Sequence, residues 1–210
     1  QPDEPQPFII TLIESLPNHI SDLEPHQIEA FYEAVATMLS EKGQYVAVDR
    51  PTTLQELMSL PNGAWQSYMN QAGGNIEALF SVDVIRELSK ILRTNRNVCR
   101  AVGSVFVHQL SAICLDMLNV YRAYSEQISQ AVAQQGPVAA RHTLFKAMRV
   151  VKSDILDLLI NFLEHAEERT PAAPANITET IVPPVLDAIL SDYRDSRPEA
   201  RDSQVLALLA

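Results

Sequence analysis

Glycine and cysteine are scarce in this chain: 6 and 2 among 210 residues, beside a single tryptophan. So little glycine, with few isolated β-branched runs, argues against a sheet protein. The two cysteines, Cys99 and Cys114, make neither a metal-binding nor a disulfide pattern, and a reducing compartment is the simplest reading. No charged segment followed by an apolar run opens the chain, so no secretory signal is read. The longest uncharged run, Ala101 to Leu115, falls short of the roughly 20 residues of a membrane span and holds His108 and Gln109. It reads as core, and no membrane is expected as a partner. Basic residues are missing too from the first 41 positions, which carry eight acids.

Groups for catalysis do not converge either. The five histidines, His19, His26, His108, His142 and His165, are scattered. None follows a glutamate by three residues, as carboxylate sites in helical bundles require, and no His-Glu-x-x-His stands in the chain. His108, inside an apolar helix, reads as a satisfied core histidine rather than a ligand. No glycine-rich loop is present to cradle a phosphate; Gly73-Gly74 reads as a helix stop. Cys99 stands between Arg96 and Arg100, where a thiol pKa can be lowered, yet free cysteine is commonly buried and a structural thiol is expected. Asn176-Ile-Thr178 matches a glycan acceptor, taken as chance without secretory signs. No catalytic, metal-binding or cofactor-binding residue is assigned, and the chain is not read as an enzyme.

What the chain does have is apolar residues, 47% of it, in helical register. Phe106, Leu110, Ile113, Met117, Tyr121, Tyr124, Ile128 and Val132 recur in steps of three and four, which holds one stripe on one side for about seven turns. Val107, Cys114, Leu118 and Ala131 widen the stripe, as packing on two neighbours needs. Gly103 precedes this helix and Gly136-Pro137 stops it.

Shorter stripes lie on either side. Phe8 to Leu16 makes a helix bent or ended near Pro17, and a second opens at Asp22-Leu-Glu-Pro25 and ends at Lys42-Gly43. Thr53-Leu-Gln-Glu56 reads as a capping box; Pro61 kinks or restarts the helix it opens, and Gly73 ends it. Val82 to Leu92 follows, with a bend near Thr94-Asn95 before Val98 to Val102. Leu144 to Phe162 partners the long helix, and Thr170 to Asn176 is a low-complexity connection. Pro183-Pro184 opens another helix, and Val205 begins a last one after a turn at Arg197-Pro198. The rhythm of helix, tight turn, helix and longer loop recurs about four times. It predicts an all-α solenoid of antiparallel helix pairs of the HEAT kind, with approximate repeats 8–42, 52–103, 104–168 and a truncated 177–210. A closed helical bundle is the structural alternative. The opening at Gln1 and the apolar ending Leu206 to Ala210 are expected of a piece of something longer.

Net charge is -10, yet nine of the sixteen basic residues occupy two short windows. Arg86, Lys90, Arg93, Arg96 and Arg100 are opposed there only by Glu87, and Arg141, Lys146, Arg149 and Lys152 have no acid among them. Arg86, Lys90, Arg93 and Arg100 share a helix face with Arg96 beside it; Lys146, Arg149 and Lys152 drift slowly around theirs. A solvated face is the plain reading of such runs. Both windows, however, fall on the second helix of a pair, so stacking sets two basic stripes side by side, a surface suited to an acidic protein partner. No aromatics interleave with the basic residues and the total charge is unfavourable, so nucleic acid is not expected. Lys90, Arg93, Arg96, Arg100, Lys146, Arg149 and Lys152 are the candidate partner-binding residues.

Several stretches are familiar as they stand. Phe106-Val-His-Gln-Leu110, Leu115-Asp-Met-Leu-Asn-Val-Tyr121 and Ser125-Glu-Gln-Ile-Ser129 resemble the nuclear export receptors of the importin-β (karyopherin) family. So do Ser21-Asp-Leu-Glu-Pro25, Phe31-Tyr-Glu-Ala-Val35, Ser89-Lys-Ile-Leu-Arg-Thr-Asn95, Arg100-Ala-Val-Gly103 and Val182-Pro-Pro-Val-Leu-Asp-Ala188, in the same order and over essentially the whole chain. The resemblance implies a ring of HEAT repeats, of which this would be a late-middle piece. It implies cargo export through the nuclear pore, with Ran in its GTP form and leucine-rich export-signal cargo bound together and released on hydrolysis. Contacts with nuclear pore proteins and shuttling between nucleus and cytoplasm are implied as well. Second helices of the repeats would line an inner surface facing Ran. The family's export-signal groove and its reactive cysteine would lie on outer helices before the matched region, so neither Cys99 nor Cys114 is that cysteine. A different helical-repeat adaptor, such as an import receptor, is the alternative. It would bind basic signals through acidic and aromatic ridges, and the basic stripes count against it.

Overall fold

The computed structural model describes residues 7–40, 48–73, 75–167, 181–198 and 201–208, and among these the regular structure is helical with no strand. Two short helices come first, α1 (Phe8–Glu14) and α2 (Leu16–Ile20). They part at Ser15, whose hydroxyl donates to the Thr11 carbonyl at 2.7 Å. Pro17 takes a first-turn position of α2, where a missing N–H goes unnoticed. The next helix, α3 (Pro25–Leu39), opens on Pro25, with the Glu24 N–H donating to Gln27 Oε1 at 2.8 Å. The expected stop at Lys42-Gly43 and the connection at 170–176 lie outside the described residues.

Helices α4 (Arg50–Leu57) and α5 (Ser59–Ala72) meet at a break on Met58. Thr53 is not the cap that its spacing from Glu56 suggested. It sits inside α4, buried, with its hydroxyl donating to the Asp49 carbonyl at 2.8 Å, because Pro51 occupies the first turn and starts the helix earlier. Pro61 falls in the first turn of α5, so the chain restarts there rather than kinks.

The expected bend at Thr94-Asn95 is absent: α6 (Val82–Val102) runs unbroken through both. Asn95 is fully buried, donates to the Ile91 carbonyl at 2.9 Å and accepts from Gln109 Nε2 at 2.8 Å. An amide satisfied in this way has no need to compete with the helix for backbone groups. Gly103 ends α6 at φ 63, and Gly136 ends α7 (Val107–Gln135) at φ 79. Both lie in the left-handed region that glycine enters without a Cβ clash. Helices α8 (Thr143–Glu167), α9 (Val182–Asp195) and α10 (Gln204–Leu208) complete the described chain.

These helices stack in two layers. In one, α1 touches α4, α4 touches α7, and α7 touches α9; in the other, α3, α6, α8 and α10 are successive neighbours. Hairpin partners α7 and α8 tie the layers together. The stripe on α7 does what its period requires: Phe106, Leu110, Met117, Tyr121, Tyr124 and Ile128 are fully buried. Each such side chain contributes about 1.5–3 kcal/mol against the conformational entropy it loses. Within Val82–Gln135 one apolar window is long enough to cross a membrane by length and composition. Length therefore does not settle its nature. Its apolar face packs against α4, α8 and α9, and 56% of that window is buried.

Candidate partner-binding face

Apart from Arg141, which precedes α8, the two basic windows lie on α6 and α8, which pack side by side. Arg93 Nε is 3.3 Å from Asp154 Oδ1, and Arg96 Nη1 is 3.4 Å from Asp157 Oδ2. Both pairs are 61 residues apart. A constant separation means that the helices run parallel, as second helices of successive pairs must in a solenoid.

That register corrects the reading of the stripe as opposed only by Glu87. Asp154 and Asp157, just beyond the second basic window, enter the first one from the neighbouring helix. Asp154 is buried, and the Ser89 hydroxyl donates to its second oxygen. Burial raises the Asp154 pKa above the ordinary carboxylate value, against the Ser89 hydrogen bond and the Arg93 charge, which lower it. Gln204 of α10 donates to Asp157 Oδ1 at 2.9 Å and accepts from Ser153. The middle of the face is therefore a mixed-charge seam between three helices. Arg93, Arg96, Arg149, Asp154, Asp157 and Asp202 line an open cleft of about 530 Å³ along it.

The candidate residues divide accordingly. Lys90 is half-exposed and held by Glu87 at 2.6 Å, and Arg93 and Arg96 are engaged as above. Arg100 and Lys146 are exposed, at opposite ends of the face, and Arg149 is half-buried beside the cleft. Lys152 is not on this surface at all. Its side chain is 1% exposed, with Nζ 3.1 Å from Asp192 Oδ2 and hydrogen-bonded to Ser125. Steps of three along a helix slip back by roughly 60° each, so by Lys152 the stripe has turned from solvent into the core.

Elsewhere, His108 is exposed rather than a core histidine. The buried polar residue is its neighbour Gln109, which exchanges hydrogen bonds with Asn62 at 3.0 and 2.6 Å and donates to Asn95. Cys99 and Cys114 are both buried. Burial pushes the Cys114 thiol up to about 11 and that of Cys99 higher still, which disfavours the nucleophilic thiolate at both. Among the described residues no group of three or more His, Cys, Asp or Glu is placed to hold a metal ion.

Fold and face together define an all-α solenoid with a seam of charges along one layer, the build of a binding scaffold. Residues 109–210 match the family described as CRM1 C terminal. Over the whole chain, identity is 42% to Protein EXPORTIN 1B and 40% to Protein EXPORTIN 1A, both of Arabidopsis thaliana. It is 37% to Exportin-1 of Dictyostelium discoideum. The chain belongs to the exportin-1 family and spans 19% of the length of each of these relatives.

Proposed function

We propose that this chain is a length of the helical-repeat wall of a nuclear export receptor, acting by coupled binding and not by catalysis. Its relatives are named as exportins. The observation that supports the reading is the parallel, adjacent course of α6 and α8, the helices that carry Lys90, Arg93, Arg96, Arg100, Lys146 and Arg149. On this reading Lys90, Arg93, Arg96, Arg100, Lys146 and Arg149 present charge to an acidic partner, either Ran in its GTP form or export-signal cargo. Lys152 serves the fold instead. The reading divides the chain into approximate repeats 8–42, 52–103, 104–168 and 177–210, each pair contributing its second helix to that face. Two ligands that favour the same curvature of such an array strengthen each other, typically by ~1–3 kcal/mol. Passage through the nuclear pore on pore proteins, and shuttling between nucleus and cytoplasm, complete the reading. Neither nucleic acid nor membrane is a partner in it.

Because Arg93 and Arg96 already hold carboxylates, a partner must compete for them, and the electrostatic gain is largest at Arg100 and Lys146. The test is made in the intact receptor with Arg100→Glu and Lys146→Glu together, titrated with GTP-loaded Ran with and without an export-signal peptide. Affinity should fall about tenfold and the loss should shrink with salt, while GDP-loaded Ran binds weakly throughout. Unchanged affinity with unchanged melting would remove this face from the contact.

A further inference from the structure

A second recess opens between the first half of α3, the start of α5 and the middle of α6. Its volume is about 240 Å³, and Ile28, Tyr32, Leu60, Ala64 and Ile91 give it an apolar lining. Leu60 is 40% exposed, so this apolar surface faces water rather than a neighbouring element. Tyr32, which lines it, is 2% exposed. At the rim Lys90 is satisfied by Glu87. Glu29 is not satisfied. Half-buried, it makes no ion pair or side-chain hydrogen bond among the described residues, and it lines both this recess and the Arg96 cleft. Of the acids around the two recesses, Glu87, Asp154 and Asp157 are each held by a cation; Glu29 and Asp202 are in no ion pair among the described residues, and of these two only Glu29 borders the apolar recess.

We propose that this recess docks a partner segment that presents one bulky apolar side chain with a Lys or Arg beside it. The apolar side chain fills the space between Ile28, Leu60 and Ile91, and the cation meets Glu29 at the rim. An anchor in an apolar pocket with a complementary charge at its edge is the arrangement that concentrates binding energy in few residues. An acidic segment would instead bring its charge against Glu29. The inference stands apart from the acidic-partner reading of the α6/α8 face, since it concerns a different recess and the opposite sign of charge.

Methyl-resolved spectra of the 210-residue chain test it, titrated with N-acetyl-leucyl-arginine amide, N-acetyl-leucyl-glutamate amide and N-acetyl-glycyl-arginine amide. The leucyl-arginine probe should shift the Ile28, Leu60 and Ile91 methyls and bind about fivefold tighter than leucyl-glutamate, the scale of an exposed ion pair. Glu29→Gln should erase that difference without disturbing the fold, because Glu29 holds nothing in the native state. Ala64→Phe, which fills the recess, should abolish the binding of both leucyl probes. Unmoved methyls overturn the proposal, as does leucyl-glutamate binding as well as leucyl-arginine. Equal binding by glycyl-arginine overturns it too, since that would reduce the site to a bare carboxylate.

Discussion

Lys152 Nζ lies 3.1 Å from Asp192 Oδ2 and 4.5 Å from the centroid of the Tyr121 ring. One ammonium thereby joins α7, through Tyr121 and Ser125, to α9, through Asp192. The second oxygen of Asp192 accepts from Ser196 at 2.9 Å, and Ser196 lies 3.4 Å from Ser129. Burial lowers the Lys152 pKa while Asp192 opposes the shift. Desolvation of two ions offsets most of their attraction, so such a pair adds little net stability, yet losing one partner strands the other. Lys152→Met should therefore cost about 3–5 kcal/mol in urea unfolding, and Lys152→Met with Asp192→Asn should recover much of it. A double variant no more stable than the single would mean that Lys152 matters through the packing of its methylenes.

Asp154 makes a prediction in pH. Its pKa is raised from 3.8 in the folded chain, so the folded state holds this proton more tightly than the unfolded one. Its contribution is complete below the unfolded pKa and is lost as pH rises through the folded value. Asp154→Asn should flatten the fall in stability above pH 3.8, measured by urea unfolding at stepped pH. If wild type instead gains on the variant as pH rises, the Arg93 ion pair outweighs burial.

Gln109 and His108 are neighbours with opposite fates. Gln109→Leu leaves the amides of Asn62 and Asn95 short of partners in the core, at about 1–3 kcal/mol for each group orphaned. His108→Leu, on the exposed side, should change stability by no more than about 0.5 kcal/mol. Equal costs at the two positions would contradict this placing of the α7 face.

The thiols report on opening. Cys99 is 0% and Cys114 4% exposed, and burial holds both in the unreactive protonated form. A thiol reagent at neutral pH should label neither in the native chain and both in urea. Fast native labelling of Cys114 would reveal local unfolding of α7.

Helix character, the long stripe of α7 and its stop at Gly136 were all legible in the sequence, because a 3.6-residue period and a chain-reversing glycine are local properties. The Thr53 cap misread a local pattern that Pro51 had already superseded, and the bend at Asn95 overlooked a partner, Gln109, on another helix. These two differ in kind: the first was visible in the sequence, the second was not.

By itself, then, the sequence determined which residues are apolar together, where helices begin and end, and to which family the chain belongs. Only the tertiary structure decided what the charges do. Arg93 and Arg96 look free along α6 until the 61-residue register of α8 brings Asp154 and Asp157 against them. Lys152 follows Arg149 at the same spacing as Arg149 follows Lys146, and only packing turns it inward. A side chain's charge is written in the chain, whereas its solvation depends on which surfaces the stacked helices leave exposed.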